Sequence, residues 1–392
     1  MILAPRIAIL GAGPIGLEAA LAAAERGWPF DVYEAAPRVA GHVRRWGHVR
    51  VFTPWDQDVS PRMRDVLGPD APGGGDLPTG DELAERLYEP VARRLGGRVH
   101  TGVRVEGVSR QGLLKSDEIG TGRREERPFR ILLTWTGGEE RLAEADVVID
   151  ATGTYGSPNA LGDGGIPAPG ERALGDRVER AIPDLAADPR AWAGRTILLT
   201  GSGHSAQTAA RDLAAFARDA PATRVVWAVR SAEPDFGAVT GDPLRERARL
   251  NRAAAELAAG ASAAVDFRPG RVTEAVSAGP DGVWVSLRNG TAEDVTVDRV
   301  LSLTGSVGDF TLYRQLQVHE CYATAGPMNL AAALLAQGGG GGDCLAVEPP
   351  GPDALRNPEP GFFLAGAKSY GRNSQFLLRH GWQQIDDVFG LL

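Results

Sequence analysis

The sequence predicts an α/β protein built from two similar halves, on three observations. The first is Ile7–Leu10, a short apolar run feeding Gly11-Ala12-Gly13-Pro14-Ile15-Gly16, then an alanine-rich helical pattern and a second apolar run that stops at Glu34. The second is the return of that pattern: Thr196–Thr200, then Gly201-Ser202-Gly203-His204-Ser205-Ala206, a helix over 207–218, and a strand Arg224–Val229 that ends in Arg230-Ser231. The third is a pair of buried strands that each stop in Thr-Gly, at Thr152-Gly153 and at Thr304-Gly305. Strand, glycine turn, helix and strand together raise G-x-G-x-x-G above a chance match. Matching landmarks in both halves mark an internal repeat at domain scale. Each half is therefore expected to be a Rossmann-like dinucleotide-binding domain.

In the first loop Gly11 permits a tight turn, Gly13 lets a pyrophosphate reach the backbone, and Gly16 lets the helix pack closely on the strand. Pro14 suits a first helical turn, and with Ile15 it opens a helix whose free N–H groups face phosphate. Glu34, roughly twenty residues on, is placed with Ala35 to accept from a ribose diol. A carboxylate there repels a 2′-phosphate, so this half wants FAD or NAD(H). In the second loop Ala206 replaces the third glycine, a permitted small residue. Gly201, Gly203, His204 and Ser205 should border a coenzyme pyrophosphate, with Gly305 across the sheet. Arg230 and Ser231 put a cation and a hydroxyl where Glu34 stands in the first half, which favours NADPH. Opposite charges at the two ribose positions imply two different dinucleotides.

The bulk numbers narrow the function classes. The chain has 392 residues, 43% hydrophobic and 23% charged, enough for two or three domains with ordinary cores. A net charge of −8 argues against nucleic acid. No uninterrupted membrane span is expected, because Glu18 interrupts the apolar start that the glycine motif already explains. Cys321 and Cys344, the two cysteines, make no disulfide framework and suit a reducing cytoplasm. No metal-ligand spacing and no G-x-S-x-G nucleophile motif is present. Lys115 and Lys368 are the only lysines, against 40 arginines.

Between the landmarks, residues 35–60 crowd histidines, tryptophans and arginines around Gly41 and Gly47. Arg44, Arg45, Trp46, His48, Trp55 and Asp56 are site candidates there, or members of an amphipathic loop. Residues 68–80 read as an exposed loop. Thr79 with Glu82 reads as a helix cap, followed by Leu83, Leu87, Val91 and Leu95 at helical spacing. Val99–Val108 and Arg130–Thr136 read as strands joined by a charged, mobile segment at 115–128. Residues 156–170 form a Pro/Gly-rich crossover. A helix is expected over Asn329–Gln337, then a glycine run at 338–342. Phe362–Ala365 reads as a short buried strand. A closing helix over Gln375–Leu391, with an apolar stripe through Phe376, Leu377, Ile385, Val388 and Phe389, would be capped by Asn373 or Ser374.

These motifs give a resemblance. GAGPIG with Glu34, ATGTYGSPN, GSGHSA with Arg230, LTG at 303–305 and FFLAGAKSYGRN together resemble two-dinucleotide-binding-domain flavoproteins, most closely the bacterial flavin-containing-monooxygenase-like branch. The resemblance implies an FAD domain made of residues 1–156 and 307–392, with an NADPH domain, 157–306, inserted into it. It implies that Arg45, Trp46, Val105, Ala151, Thr152 and Gly153 join the first glycine loop around FAD. Gly366, Lys368, Asn373, Ser374, Gln375 and Phe376 would complete the site, a helix N-terminus facing the pyrimidine edge of the ring. Lys368, Tyr370, Arg372 and Asn373 would form the wall toward ring and substrate, and Trp55 and Cys321 are further catalytic candidates. In a chain that writes its cations as arginine, a lysine in that motif suits a crowded spot beside the cofactor.

The sequence also departs from the family. Gly366-Ala367-Lys368 stands where relatives have a Gly-Asp motif. No Cys-x-x-Cys or Cys-x4-Cys occurs, which excludes a dithiol relay. The histidine-containing fingerprint of standard flavin monooxygenases is not recognisable. The leading expectation is an oxidoreductase that takes hydride from NADPH and, with molecular oxygen, oxidises a small molecule through a C4a-(hydro)peroxyflavin. The alternative is an NADPH-dependent reductase passing electrons to a quinone, an iron–sulfur protein or an organic acceptor. A nucleotide-binding sensor without turnover is the third reading. No nucleic-acid or membrane partner is expected, and a homodimer is left open.

Overall fold

The computed structural model describes residues 4–337, 345 and 348–392. The glycine run at 338–342 and Cys344 lie outside the described residues. The chain forms two compact units, 1–157 with 307–392, and 158–306.

In the first unit β1 (Ile7–Leu10) leads through the glycine turn into α1 (Pro14–Glu25) and β2 (Phe30–Glu34). All four residues of β1 are buried, as a strand covered on both faces requires. The expected single strand from Val99 is two strands. Gly102, at φ +69°, breaks it into β3 (Val99–Thr101) and β4 (Val103–Arg110). β3 joins the parallel sheet beside β2, while β4 forms an antiparallel sheet with β5 (Phe129–Trp135) and β6 (Glu140–Ala145). β7 (Val147–Asp150) then pairs in parallel with β1, residue for residue from Ile7 opposite Val147 to Leu10 opposite Asp150.

Thr79 caps the helical stretch 80–95 in a capping box with Glu82. That stretch carries a π turn at Ala84–Tyr88 just before Pro90, whose missing N–H breaks the regular ladder. The segment 115–128 is not the free loop expected of its charge. Arg124, 1% exposed, anchors it by donating to Glu359 and to the carbonyls of Leu114 and Asp117. Glu359 also takes Arg110 and the backbone N–H of Gln317.

The second unit repeats the plan. Its parallel sheet contains β8 (Val178–Glu179), β9 (Thr196–Thr200), β10 (Arg224–Val229), β11 (Val265–Pro269) and, between β9 and β8, the strand Arg299–Ser302. α2 (His204–Asp219) starts at His204, three residues earlier than the sequence pattern indicates. An antiparallel sheet of Val272–Gly279, Gly282–Asn289 and Thr291–Val297 completes the unit.

Back in the first unit, the helix Met328–Ala336 is followed by Phe362–Leu364, the edge strand beside β7. The closing helix, α3 (Leu378–Leu391), begins three residues later than expected. Asn373 and Ser374 do not cap it. The Asn373 Oδ1 instead accepts from Gln375 N–H in a local turn, and His380 Nδ1 accepts the Leu377 N–H at the true helix start. Phe376 and Leu377 precede the helix, whose buried stripe is Ile385, Val388 and Phe389.

Candidate functional site

The three glycines of the first loop serve three different needs. Gly11 holds φ +94°, and a Cβ there would lie 2.9 Å from the Ala151 carbonyl oxygen. A Cβ on Gly16 would lie 1.8 Å from the Gly11 carbonyl oxygen, so only glycine lets the helix approach the strand. Gly13 is different: its φ of −82° suits any residue, and a Cβ would meet nothing within 4 Å. Neither strain nor packing requires glycine at 13, and what it leaves open is the cavity in front of α1. In the second unit Gly201 is the strained turn, at φ +119°, where a Cβ would lie 2.2 Å from the Leu303 carbonyl oxygen. Gly203, at φ −71°, is again unobstructed. At the first two glycine positions the repeat therefore extends from residue types to the reason for each type, while at the third Ala206 carries the Cβ that Gly16 excludes.

The cavity of the first unit has a volume of about 1000 Å³. Its walls include Gly11, Gly13, Pro14, Ile15, Glu34 and Ala35, then Val103–Val105, Ala151–Ser157, and Gly366–Lys368. Glu34 is fixed rather than free: Oε2 accepts from Ala12 N–H at 2.8 Å and Oε1 from Ala36 N–H at 2.9 Å. Burial pushes its pKa up against the pull of those two N–H groups. An elongated group with a phosphate at Gly13 and a diol toward Glu34 fits these walls, since the helix N-terminus and the open Gly13 face the same space. Val105 also lines the cavity.

Several expected residues lie elsewhere. Trp55 is 3% exposed, sits in the core with the Arg86 guanidinium over its ring, and does not line the cavity. Of the stretch 35–60, Trp46 is on the wall, its ring packed where Gly80 leaves no side chain. Arg45 is exposed and donates to the Tyr155 carbonyl, Arg44 pairs with Glu89, and His48 and Asp56 are exposed away from the cavity. The wall past Lys368 is not Tyr370 to Gln375. Tyr370 is buried, stacked on His380 and edge-on to Phe376, and Arg372 is exposed. Phe376, Leu377, Leu378 and Arg379 line the cavity instead, because the chain reverses after Gly371. Cys321 is buried in a turn closed by its N–H to the Gly326 carbonyl, off the cavity wall.

Lys368 is wholly buried and paired. Its Nζ lies 2.6 Å from Asp150 Oδ2 and 3.1 Å from the Thr152 hydroxyl, with the Tyr313 ring 5.2 Å away. The free cation expected beside a cofactor is thus neutralised within the protein, although Lys368 does border the cavity. In the second unit Arg230 is exposed at the end of β10 with no hydrogen-bond or ion-pair partner among the described residues. Ser231 Oγ accepts from the Glu233 N–H.

Sequence reasoning missed His42, Thr53, Gln57, Asp58, Tyr88 and Tyr155, all on the cavity wall. His42 is half-buried and held toward its neutral form by burial and by Arg45. Asp58 is buried, its Oδ1 accepting the Thr53 hydroxyl at 2.6 Å, and burial pushes its pKa up to about 7. No periodic pattern runs through 41–58, so nothing in the sequence says which side of those short turns faces the cavity.

The fold these elements define is the two-domain FAD/NAD(P)-binding flavoprotein fold. It is similar to a bacillithiol disulfide reductase of Bacillus cereus over 99% of this chain and 98% of that one, at 19% identity and a TM-score of 0.70. An ornithine N-hydroxylase of Kutzneria sp. 744, solved with reduced FAD, NADP+ and L-ornithine, is 14% identical with a TM-score of 0.64, covering 99% and 98%. A flavin-containing monooxygenase of Stenotrophomonas maltophilia is 18% identical with a TM-score of 0.58, covering 100% and 99%. No protein-family model matches the chain, and no curated protein matches it by sequence. Among the described residues no helix is long and apolar enough to cross a membrane, and no group of three side chains could hold a metal ion.

Proposed function

We propose that the chain is an FAD-dependent, NADPH-utilising oxidoreductase, and that it acts as a monooxygenase on a small organic substrate. The observation that carries this is the paired geometry of the two glycine loops, each with one strained and one unobstructed glycine, set against opposite charges at the ends of β2 and β10, Glu34 and Arg230. Residues 1–157 and 307–392 would hold FAD, and residues 158–306 would hold NADPH.

When bound, FAD would supply the redox chemistry: it accepts hydride from the nicotinamide and passes electrons to oxygen. The chain's own residues bind and orient. The N–H groups at Gly13 and the first turn of α1 receive the pyrophosphate, and Glu34 receives the adenosine ribose while fixed by Ala12 and Ala36. Gly366–Lys368 and Phe376–Arg379 border the same cavity, where apolar side chains such as Leu377, Leu378 and Trp382 exclude water. Arg230 selects the 2′-phosphate of the second nucleotide.

Anaerobic stopped-flow mixing with NADPH tests the reading. The purified protein should be yellow, its flavin should bleach on mixing, and air should restore the colour while a small organic compound is oxygenated. A colourless protein that binds no FAD overturns the cofactor assignment. Rapid reoxidation by a quinone or an iron–sulfur protein, with no oxygenated product, makes it the alternative NADPH-dependent reductase.

A further inference from the structure

Five acidic residues are buried among the described residues, and four of them meet a cation. Asp150 pairs with Lys368, Glu359 with Arg110 and Arg124, Glu18 with Arg62, and Glu171 with Arg180. Asp58 meets none. It ends the short helix Trp55–Asp58, is 4% exposed and borders the large cavity. Its Oδ1 is satisfied by the Thr53 hydroxyl, and its Oδ2 is buried without a hydrogen-bond partner. Apolar or aromatic side chains, Trp46, Val51, Leu83 and Tyr88, border the same cavity, beside the polar Thr53 and Gln57. A buried carboxylate without a cation destabilises the fold that contains it. This fold has neutralised every other one with its own arginines or lysine. The exception borders the cavity of about 1000 Å³, so the missing charge belongs to what enters that cavity.

We propose that Asp58 is the counter-ion of the cavity: its carboxylate receives the protonated amine of a substrate whose apolar body lies along Val51, Leu83 and Trp46. This rests on the reading of the cavity as the site where substrate meets FAD, and it names the substrate class, an amine with an apolar body. The contact would be a charge-assisted hydrogen bond, which is worth more than a neutral one and fixes which end of the substrate lies deepest. Asp58 then acts as a specificity-determining residue, rejecting carboxylates of the same length by like-charge repulsion.

Calorimetric titration of the full chain as purified, with hexylamine, 1-hexanol and hexanoate at about pH 8.5, tests this, since the amine is then protonated and the carboxyl ionised. Hexylamine should bind at least ~10-fold more tightly than hexanol, and hexanoate most weakly. Asp58→Asn, which keeps the shape and the Thr53 contact, should erase the preference for the amine. Equal affinities for amine and alcohol in the unaltered protein, or an amine preference that survives Asp58→Asn, overturn the proposal. A structural carboxyl predicts lower melting temperatures for Asp58→Asn and Asp58→Leu. The proposal requires both to melt at the same temperature or higher, because an unpaired buried charge is removed. Flavin absorbance of the same samples judges the cofactor reading separately: colourless protein sinks that reading, while the amine titration is still decided by heat alone.

Discussion

Lys368 Nζ lies 2.6 Å from Asp150 Oδ2, with both side chains wholly inaccessible to solvent. The pair ties the end of β7 to the C-terminal segment far along the chain, and Asp150 Oδ1 in turn accepts both the backbone N–H and the hydroxyl of Thr152. Removing one partner of a buried pair costs more than removing both, since the survivor keeps an uncompensated charge.

Lys368→Met is therefore expected to destabilise the protein by about 3–5 kcal/mol. Asp150→Asn combined with Lys368→Met should recover a large part of that loss. Urea unfolding of the native protein, both single variants and the double variant closes the cycle. Additive losses would show that the two side chains do not depend on each other.

The loop glycines separate folding from binding. Gly13→Val adds a side chain whose Cβ meets no protein atom within 4 Å, so it should melt close to the native temperature yet emerge colourless. Gly16→Ala places a methyl group against the Gly11 carbonyl, 1.8 Å from the Cβ position, and should lose stability and flavin together. Far-UV melting and flavin absorbance on the same samples distinguish the two. A Gly13→Val protein with normal flavin content would remove the first loop from the cofactor site.

How far the sequence carried depended on how local each signal was. Both glycine loops were legible because turn, helix start and the charged residue at the next strand's end all lie within one βαβ unit. The cap at Thr79 was legible for the same reason: its partner Glu82 is three residues away. The partner of Lys368 was not, since Asp150 sits on another element and only the β7 register brings it near. Nor were the roles of Trp55 and Asp58, neighbours in one short helix of which one faces the core and the other the cavity. The break at Gly102 and the late start of α3 share a cause. In each, one local backbone choice, a positive φ at Gly102 and an Asn373 turn, overrides an apolar pattern that would have continued.

The proposed coenzyme choice rests on Arg230, which has no partner among the described residues and so loses no protein contact when truncated. Arg230→Ala is expected to weaken NADPH about tenfold to a hundredfold, as loss of a charge-assisted hydrogen bond worth about 1.5–3 kcal/mol implies, while sparing NADH. Apparent constants for flavin reduction by each coenzyme decide it. Equal losses for both would leave the arginine a surface residue at the end of β10.

Asp58 gives the protein a predictable pH dependence. Its carboxyl titrates near 4 in an unfolded chain and is pushed up to about 7 by burial in the fold, with the Thr53 hydroxyl pulling the other way. Between those values the folded protein keeps a proton that the unfolded chain has released. Stability must therefore fall as pH rises through that window, and level off above about 7. At roughly 1.36 kcal/mol per pH unit the full loss is on the order of 4 kcal/mol. Tyr88, also on the cavity wall, has its own ionisation pushed far above this range and takes no part. Asp146, held low by Arg6, acts in the opposite sense and only below the ordinary carboxylate range. Asp58→Asn cannot release a proton, so it should gain on the native protein far more at about pH 8 than at about pH 5. Urea midpoints of both proteins at those two pH values measure the difference. A gain of the same size at each would mean that Asp58 titrates alike in folded and unfolded chains, and that its burial is relieved by a partner.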